Sequence, residues 1–168
     1  QTGRGVGTAD LNDDGVADLI VGAVLSTPRG TETAGKTYVV FGPIGPGVVD
    51  LSEEADVVLE GIGERDRSGG GVDGGDLNGD GIYDLVIGAV GASPHGRGNA
   101  GVAYVVFGPL PAGTLQLEQV VDVTIEGITF GDQLGYGVAV GDVNDDGTGD
   151  LVVGAMGVGY PGRSIGGA

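Results

Sequence analysis

Asp76-Leu77-Asn78-Gly79-Asp80-Gly81-Ile82-Tyr83-Asp84 is the stretch on which the reading of the whole chain turns. It occurs twice more in near-identical form. Asp10-Leu11-Asn12-Asp13-Asp14-Gly15-Val16-Ala17-Asp18 begins 66 residues earlier, and Asp142-Val143-Asn144-Asp145-Asp146-Gly147-Thr148-Gly149-Asp150 begins 66 residues later. The shared pattern, D-x-N-x-D-G-x-x-D, carries the chemistry of a hard cation. Positions 1, 3 and 5 present side-chain oxygens around a tight loop, position 7 adds a backbone carbonyl, and the Asp at position 9 closes the shell. Glycine at position 6 gives the turn its backbone freedom. Calcium accepts six to eight such oxygens in flexible geometry, whereas magnesium demands a rigid octahedron and keeps its waters. Zinc prefers nitrogen and sulfur, and the chain has no Cys and one His. A single copy could be an Asp/Asn/Gly-rich surface turn; three copies in phase point to calcium. The expected sites are Asp10/Asn12/Asp14/Asp18, Asp76/Asn78/Asp80/Asp84 and Asp142/Asn144/Asp146/Asp150, completed by the carbonyls of Val16, Ile82 and Thr148. Asp13, Gly79 and Asp145 fill position 4, which is not a ligand and should face solvent.

These loops differ from EF-hands, which need a bidentate Glu at position 12 and flanking helices. Position 12 here is Val21, Ile87 or Val153. The loops run into Asp18-Leu19-Ile20-Val21-Gly22-Ala23, Asp84-Leu85-Val86-Ile87-Gly88-Ala89 and Asp150-Leu151-Val152-Val153-Gly154-Ala155. Short β-branched runs bounded by glycine read as buried strands. The cation is therefore expected in a strand-to-strand turn.

The 66-residue period organises the rest. Gln1–Asp66 aligns with Arg67–Asp132, and Gln133–Ala168 begins a third copy. Tyr38-Val39-Val40-Phe41-Gly42-Pro43 recurs as Tyr104-Val105-Val106-Phe107-Gly108-Pro109, and Val57-Val58-Leu59-Glu60-Gly61-Ile62 as Val123-Thr124-Ile125-Glu126-Gly127-Ile128. Each full copy holds four strand candidates, at about 69–75, 84–90, 101–108 and 122–128 in the second. Helical periodicity is absent, apart from a possible single turn at Leu51–Asp56. Four antiparallel strands per repeat, each repeat needing its neighbours to bury a core, describe an all-β propeller blade. The Gly-rich first strand (Gly69, Gly70, Gly71, Gly74, Gly75) suits the crowding near a propeller axis.

With those residues in view, the chain resembles the FG-GAP repeats of integrin α-subunit propellers and their bacterial relatives. Phe130-Gly131 supplies the FG element, and one repeat earlier Ile62-Gly63 stands two residues before the equivalent position. The GAP element stands as Gly22-Ala23-Val24, Gly88-Ala89-Val90 and Gly154-Ala155-Met156, without the proline. The resemblance covers the whole chain. It implies a seven-bladed ring with calcium between strands 1 and 2 of a blade. This chain offers about two and a half blades, ten strands, so further repeats are expected in cis or on a partner chain. With no initiator Met and no signal peptide, it reads as an excerpt of something longer.

Composition narrows the functional classes. Of 168 residues 39 are glycine, but they recur at fixed repeat positions, so they mark turns and close packing rather than disorder. A net charge of −17 makes nucleic acid an improbable partner. The longest apolar runs are strand-length, so no segment reads as a membrane span. The acidity suits a secreted or cell-surface protein, or a salt-rich habitat.

Some motifs mislead. Gly30-Thr31-Glu32-Thr33-Ala34-Gly35-Lys36-Thr37 matches the P-loop letter for letter, yet a P-loop must open a helix and here Tyr38–Gly42 continues as a strand. Gly3-Arg4-Gly5-Val6-Gly7 lacks the helix and distant acid of a dinucleotide site. His95 is the single histidine, which leaves a Ser/His/Asp triad no base to spare. Nine of the 24 acids are already cation ligands, so glycoside hydrolysis lacks a dedicated carboxylate pair.

In a blade, the turns between strands 1–2 and 3–4 share one face, and those between strands 2–3 and between blades share the other. The calcium-side turns take 17 of the 24 acids and none of the seven bases. The opposite loops therefore form the expected recognition face, since Arg and aromatic residues dominate interface hot spots. Its candidates are Arg29, His95, Arg97, Tyr160 and Arg163 in the 2–3 loops, with Arg65, Arg67 and Phe130 between blades. Arg97 and Arg163 occupy equivalent positions and form the leading pair for an acidic group on a protein or glycan ligand. The expected function is a calcium-stabilised, non-catalytic adhesion or binding module. The alternative is an accessory or catalytic propeller of a secreted hydrolase or polysaccharide-degrading enzyme.

Overall fold

The computed structural model describes residues 2–157. Chain order gives β1 (Val6–Ala9), β2 (Asp18–Ala23), β3 (Lys36–Val40) and β4 (Val57–Glu60), then β5 (Ser68–Gly75), β6 (Asp84–Ala89), β7 (Val102–Val106), β8 (Gly113–Gln116), a single-turn helix α1 (Leu117–Val120) and β9 (Val123–Glu126), and finally β10 (Leu134–Gly141) and β11 (Asp150–Ala155). The sheets run β1-β2-β3-β4-β8, β5-β6-β7-β9 and β10-β11. Within each blade every pairing is antiparallel. This is a partial β-propeller, as the repeat pattern implied.

Blade spacing is set by backbone against backbone. Gly22 in β2 lies on Gly69 of the next blade's first strand, and a Cβ there would collide with the Gly69 carbonyl. Gly88 meets Gly135 in the same way one repeat on. The glycine of the GAP element is thus the point where two blades touch without side chains between them. Farther from the axis the blades diverge and side chains fill the wedge. Leu11, Ile20, Val39, Val57, Leu59, Val72, Leu85 and Ile87 form one buried cluster. The middle blade has a neighbour on each side, so every residue of β6 and β7 is buried. That two-sided burial explains why these strands read as continuous apolar runs rather than alternating ones.

One feature departs from the expected ten strands. The connection between β7 and β9 contains an eleventh strand, β8, which leaves its own blade and pairs in parallel with β4 of the preceding one, Val57 opposite Gly113 and Glu60 opposite Gln116. Leu110 and Leu117, on either side of β8, are buried on the first blade, and the Leu110 N–H donates to the Leu11 carbonyl at 2.7 Å. The expected helical turn at Leu51–Asp56 forms as a single turn closed by Glu54 N–H to Asp50 O at 2.8 Å. Its counterpart 66 residues later is α1.

The joint formed by β8 and its flanking leucines contributes to stability through apolar burial. Leu117→Ala should cost about 2–5 kcal/mol, the usual range for a fully buried leucine, in urea titrations followed by circular dichroism. A loss near zero would mean that the connection does not belong to the core.

Candidate functional site

Each acidic loop joins the first and second strands of its blade, where the sequence pattern put it. Local hydrogen bonding shapes it. The Asp10 carboxylate accepts from the N–H groups of Asp14 (3.1 Å) and Gly15 (2.7 Å). Asp76 accepts from Gly79, Asp80 and Gly81 at 2.7, 3.2 and 2.8 Å, and Asp142 from Asp146 and Gly147 at 3.0 and 2.7 Å. The position-5 carboxylates Asp14, Asp80 and Asp146 accept from the N–H of Val16, Ile82 and Thr148 at 2.8, 2.8 and 2.9 Å. This orientation turns the Val16, Ile82 and Thr148 peptide units with the loop. Asn12 and Asn78 each donate from Nδ2 to the position-5 carboxylate at 2.9 Å.

Position 4 has a role beyond facing solvent. Asp13, Gly79 and Asp145 have φ of +61°, +76° and +63°, so this position must adopt the left-handed conformation, which Asp and Gly tolerate. At position 2, Leu11 is fully buried and plugs its loop into the wedge between blades, whereas Leu77 is half-buried and Val143 exposed.

Position 9 lies beneath the loop. Asp18 and Asp84 are buried. Asp18 accepts from Leu11 N–H (2.8 Å) and from Gly42 N–H (2.9 Å), and Asp84 from Leu77 (2.8 Å) and Gly108 (3.1 Å). One carboxylate thereby ties the loop to the turn after the third strand. Among the described residues Asp150 accepts from its own loop alone, from Val143 N–H at 2.8 Å, Asn144 N–H at 3.3 Å and Asn144 Nδ2 at 3.5 Å. Burial pushes the Asp84 carboxyl above the usual range; the Gly108 and Leu77 N–H groups oppose this, and the charges of Asp80 and Asp76 add to it.

Among the described residues no three His, Cys, Asp or Glu side chains converge in a ready-made metal cluster. The donor set is nevertheless chemically suited to a hard cation. A carboxylate has about four acceptor positions, and the bonds above occupy roughly half of those on Asp10, Asp14 and Asp18. No Lys or Arg forms an ion pair with any loop carboxylate among the described residues; the paired acids are Glu32, Glu60 and Glu126. Oxygen acceptors in this number, without a cationic side chain to balance them, fit a divalent ion. Asp10, Asn12, Asp14 and Asp18, with their counterparts one and two repeats on, would hold it.

The opposite face is a set of loops fastened to one another. Arg65 N–H donates to Glu32 O at 2.7 Å and Arg67 N–H to Thr33 O at 3.0 Å, which joins an inter-blade loop to a 2–3 loop. Glu60 receives Arg29 and Lys36, each at 3.0 Å, and Gln116 Nε2 from β8 at 3.1 Å. Lys36, the lysine of the P-loop look-alike, is therefore a strand residue with a carboxylate partner. Glu126 receives His95 at 3.0 Å and Arg97 at 2.7 Å. Arg65 pairs with Glu32 at 3.2 Å. The expectation that Arg97 stands ready for an acidic ligand group thus meets a competitor in Glu126. The signal for it was in the sequence, since Glu60 and Glu126 recur in the Val-x-x-Glu-Gly-Ile strand. Phe130 is exposed and lies over Gly98. Tyr160 and Arg163 lie outside the described residues.

The FG-GAP repeat model matches residues 2–40, 68–106 and 134–168. The chain belongs to the FG-GAP repeat family. Each match opens near an inner strand and takes in one acidic loop. The chain is 36% identical over 151 residues to the phosphatidylinositol-glycan-specific phospholipase D of Bos taurus, covering 88% of this chain and 18% of that protein. It is 32% identical over 161 residues to human integrin alpha-IIb, covering 92% and 15% respectively. For integrin alpha-PS2 of Drosophila melanogaster the figures are 31% over 166 residues, 91% and 11%. The FG-GAP chain therefore spans less than a fifth of the length of these relatives.

The Glu60 cluster makes a pH-dependent contribution. Burial disfavours its charge, but Gln116, Lys36 and Arg29 outweigh that and hold the carboxyl below its ordinary 4.5. A carboxyl depressed by folding stabilises fully above its unfolded pKa and loses that contribution as pH falls through the folded value. Glu60→Gln should therefore flatten the acid limb of the stability curve below about pH 4.5, measured as urea midpoints across pH. An acid limb unchanged by the substitution would remove Glu60 from the account.

Proposed function

We propose that this chain is part of a calcium-stabilised, extracellular or cell-surface propeller that binds a partner through the loops opposite its acidic turns. The observation that carries the metal is the threefold recurrence of one oxygen-donor loop, with acids that no basic side chain offsets among the described residues. Calcium bound there would supply the missing positive charge and draw the position 1, 3, 5 and 9 side chains together. The protein's own residues do the rest. Asp18 and Asp84 couple the loop to the turn after the third strand, and Leu11 couples it to the core, so order in the loop is order in the blade. The three repeats, Gln1–Asp66, Arg67–Asp132 and Gln133–Ala168, act as units of one propeller that further repeats complete, in cis or in a partner chain.

Placement outside the cell is supported by relatives that are secreted or cell-surface proteins, and no described helix is long and apolar enough to cross a membrane. Partner binding draws on the likeness to integrin α chains. The likeness to phospholipase D proteins favours a second reading, in which the same module accompanies a hydrolase. Both readings share the calcium-dependent propeller and differ in what it serves.

Calcium should raise the melting temperature. A site at a hundredfold excess over its dissociation constant adds about 2.7 kcal/mol, or roughly 5–11 °C for a domain of this size. Melts in calcium and in chelator provide the measurement, with Asp76→Ala removing one increment. Coincident midpoints in the two conditions would exclude a structural role for the ion.

A further inference from the structure

Six bases lie among the described residues, and four of them, Arg29, Lys36, Arg65 and Arg97, are paired with glutamates. The other two, Arg4 and Arg67, have no acidic partner among the described residues, and both line one cleft of about 390 Å³. In a chain with 24 acids this is a marked exception, because the cleft lining contains none of them. Asn99, Gln133 and Tyr136 add polar and aromatic groups to its lining, and Val90 and Met156 add apolar ones.

The cleft is built by the repeat itself. Positions 4, 70 and 136 coincide in the period, and the middle one is glycine, so Arg4 and Tyr136 meet across a position without a side chain. The Arg4 guanidinium sits 4.5 Å from the Tyr136 ring centroid. Such stacking orients a guanidinium while leaving its donor edge available. Arg67 and Gln133 are likewise equivalent. Both have positive φ, +55° and +54°, and each N–H is held by the facing 2–3 loop, at Thr33 O (3.0 Å) and Asn99 O (3.1 Å). The side chains therefore project from a backbone that hydrogen bonds fix in place.

We propose that this cleft receives a Glu or Asp side chain from a protein partner, with Arg4 and Arg67 binding the carboxylate and Asn99 and Gln133 the adjoining peptide groups. Two arginines offer the planar donor fork that matches a carboxylate, and charge-assisted bonds of this kind are about twice as strong as neutral ones. A protein rather than a glycan fits the surroundings. Met156 lines the cleft and is exposed, Phe130 is exposed over Gly98, next in the chain to Asn99, and Arg, Tyr, Phe and Met are the residues enriched in protein interfaces. The net charge of −17 does not forbid an acidic ligand. Asp66 and Asp132, next in the chain to Arg67 and Gln133, are turned away into their own loops, where Asp66 accepts from Gly63 N–H and Asp132 from Ile128 and Thr129 N–H. The acidic loop at Asp142 lies roughly 20 Å along the strand from Tyr136, more than two screening lengths at physiological salt.

This site rests on the proposed binding role, and its test separates the two. Acetylated Gly-Glu-Phe-Glu-Gly amide and its Gln counterpart are titrated into the whole chain in calcium, followed by amide chemical shifts. The Glu peptide should bind at least about tenfold more tightly, a difference of 1.4 kcal/mol, with shifts at Asn99, Gln133 and Tyr136. Arg4→Gln and Arg67→Gln should each weaken it about tenfold while leaving the calcium-dependent melt unchanged. Equal binding of the two peptides, or variants that bind like the parent, would overturn the site while a calcium-dependent melt left the module standing. A tetragalacturonate that binds through these arginines when the Glu peptide does not would overturn the protein ligand in favour of an acidic glycan.

Discussion

Everything in this propeller follows from the approach of one blade's backbone to the next. At Gly22 on Gly69, and again at Gly88 on Gly135, there is no room for a single methyl group. Closeness at the axis fixes the angle at which the blades fan out, and that angle defines the wedge filled by Leu11, Ile20, Leu59, Leu85 and Ile87. Protein interiors are packed to crystal-like density, so a wedge of set width accepts only side chains of matching size. The loops at the two ends inherit their separation from the same geometry. The acidic turns gather at one end and the Arg-bearing loops at the other.

The two ends treat charge differently. On the loop face, Glu60 pairs with Arg29 and Lys36 and Glu126 with Arg97, and these ion pairs lash the fourth strand to the loop after the second strand of the same blade and, through Lys36, to the third strand. At the acidic end the carboxylates are served by backbone N–H groups instead. A buried carboxylate with hydrogen bonds but no counter-charge carries an electrostatic deficit, visible in the raised ionisation range of Asp84. That contrast is structural and does not depend on the family likeness.

Much of this was legible in the sequence, because a 66-residue period projects onto strands, turns and faces. Each acidic loop could be placed between two strands from the flanking runs alone. What escaped was interaction across blades. Gly113-Thr114-Leu115-Gln116 is too short to show a strand period, and it pairs with residues some 56 positions back in another repeat. The burial of Leu11 was hidden because a ligand-rich loop reads as surface. Within one blade, Arg97 looked free because a linear reading does not pair it with the Glu126 that recurs in the fourth strand. The Arg4–Tyr136 contact spans two repeats through an intervening glycine, a relation that emerges only once the blades are stacked.

The parallel pairing of β4 with β8 imposes an order in time. On a ribosome, Val57–Glu60 emerges well before Gly113–Gln116, and the glutamate waits for its glutamine across 56 residues. At ordinary elongation rates that is roughly 3–11 s, far longer than a hairpin needs to form. A nascent blade therefore folds with one raw margin and is sealed only when its successor arrives. During that interval the margin is open to chaperones or to neighbouring nascent chains, and synthesis itself acts as the assembly line along which one blade is joined to the next.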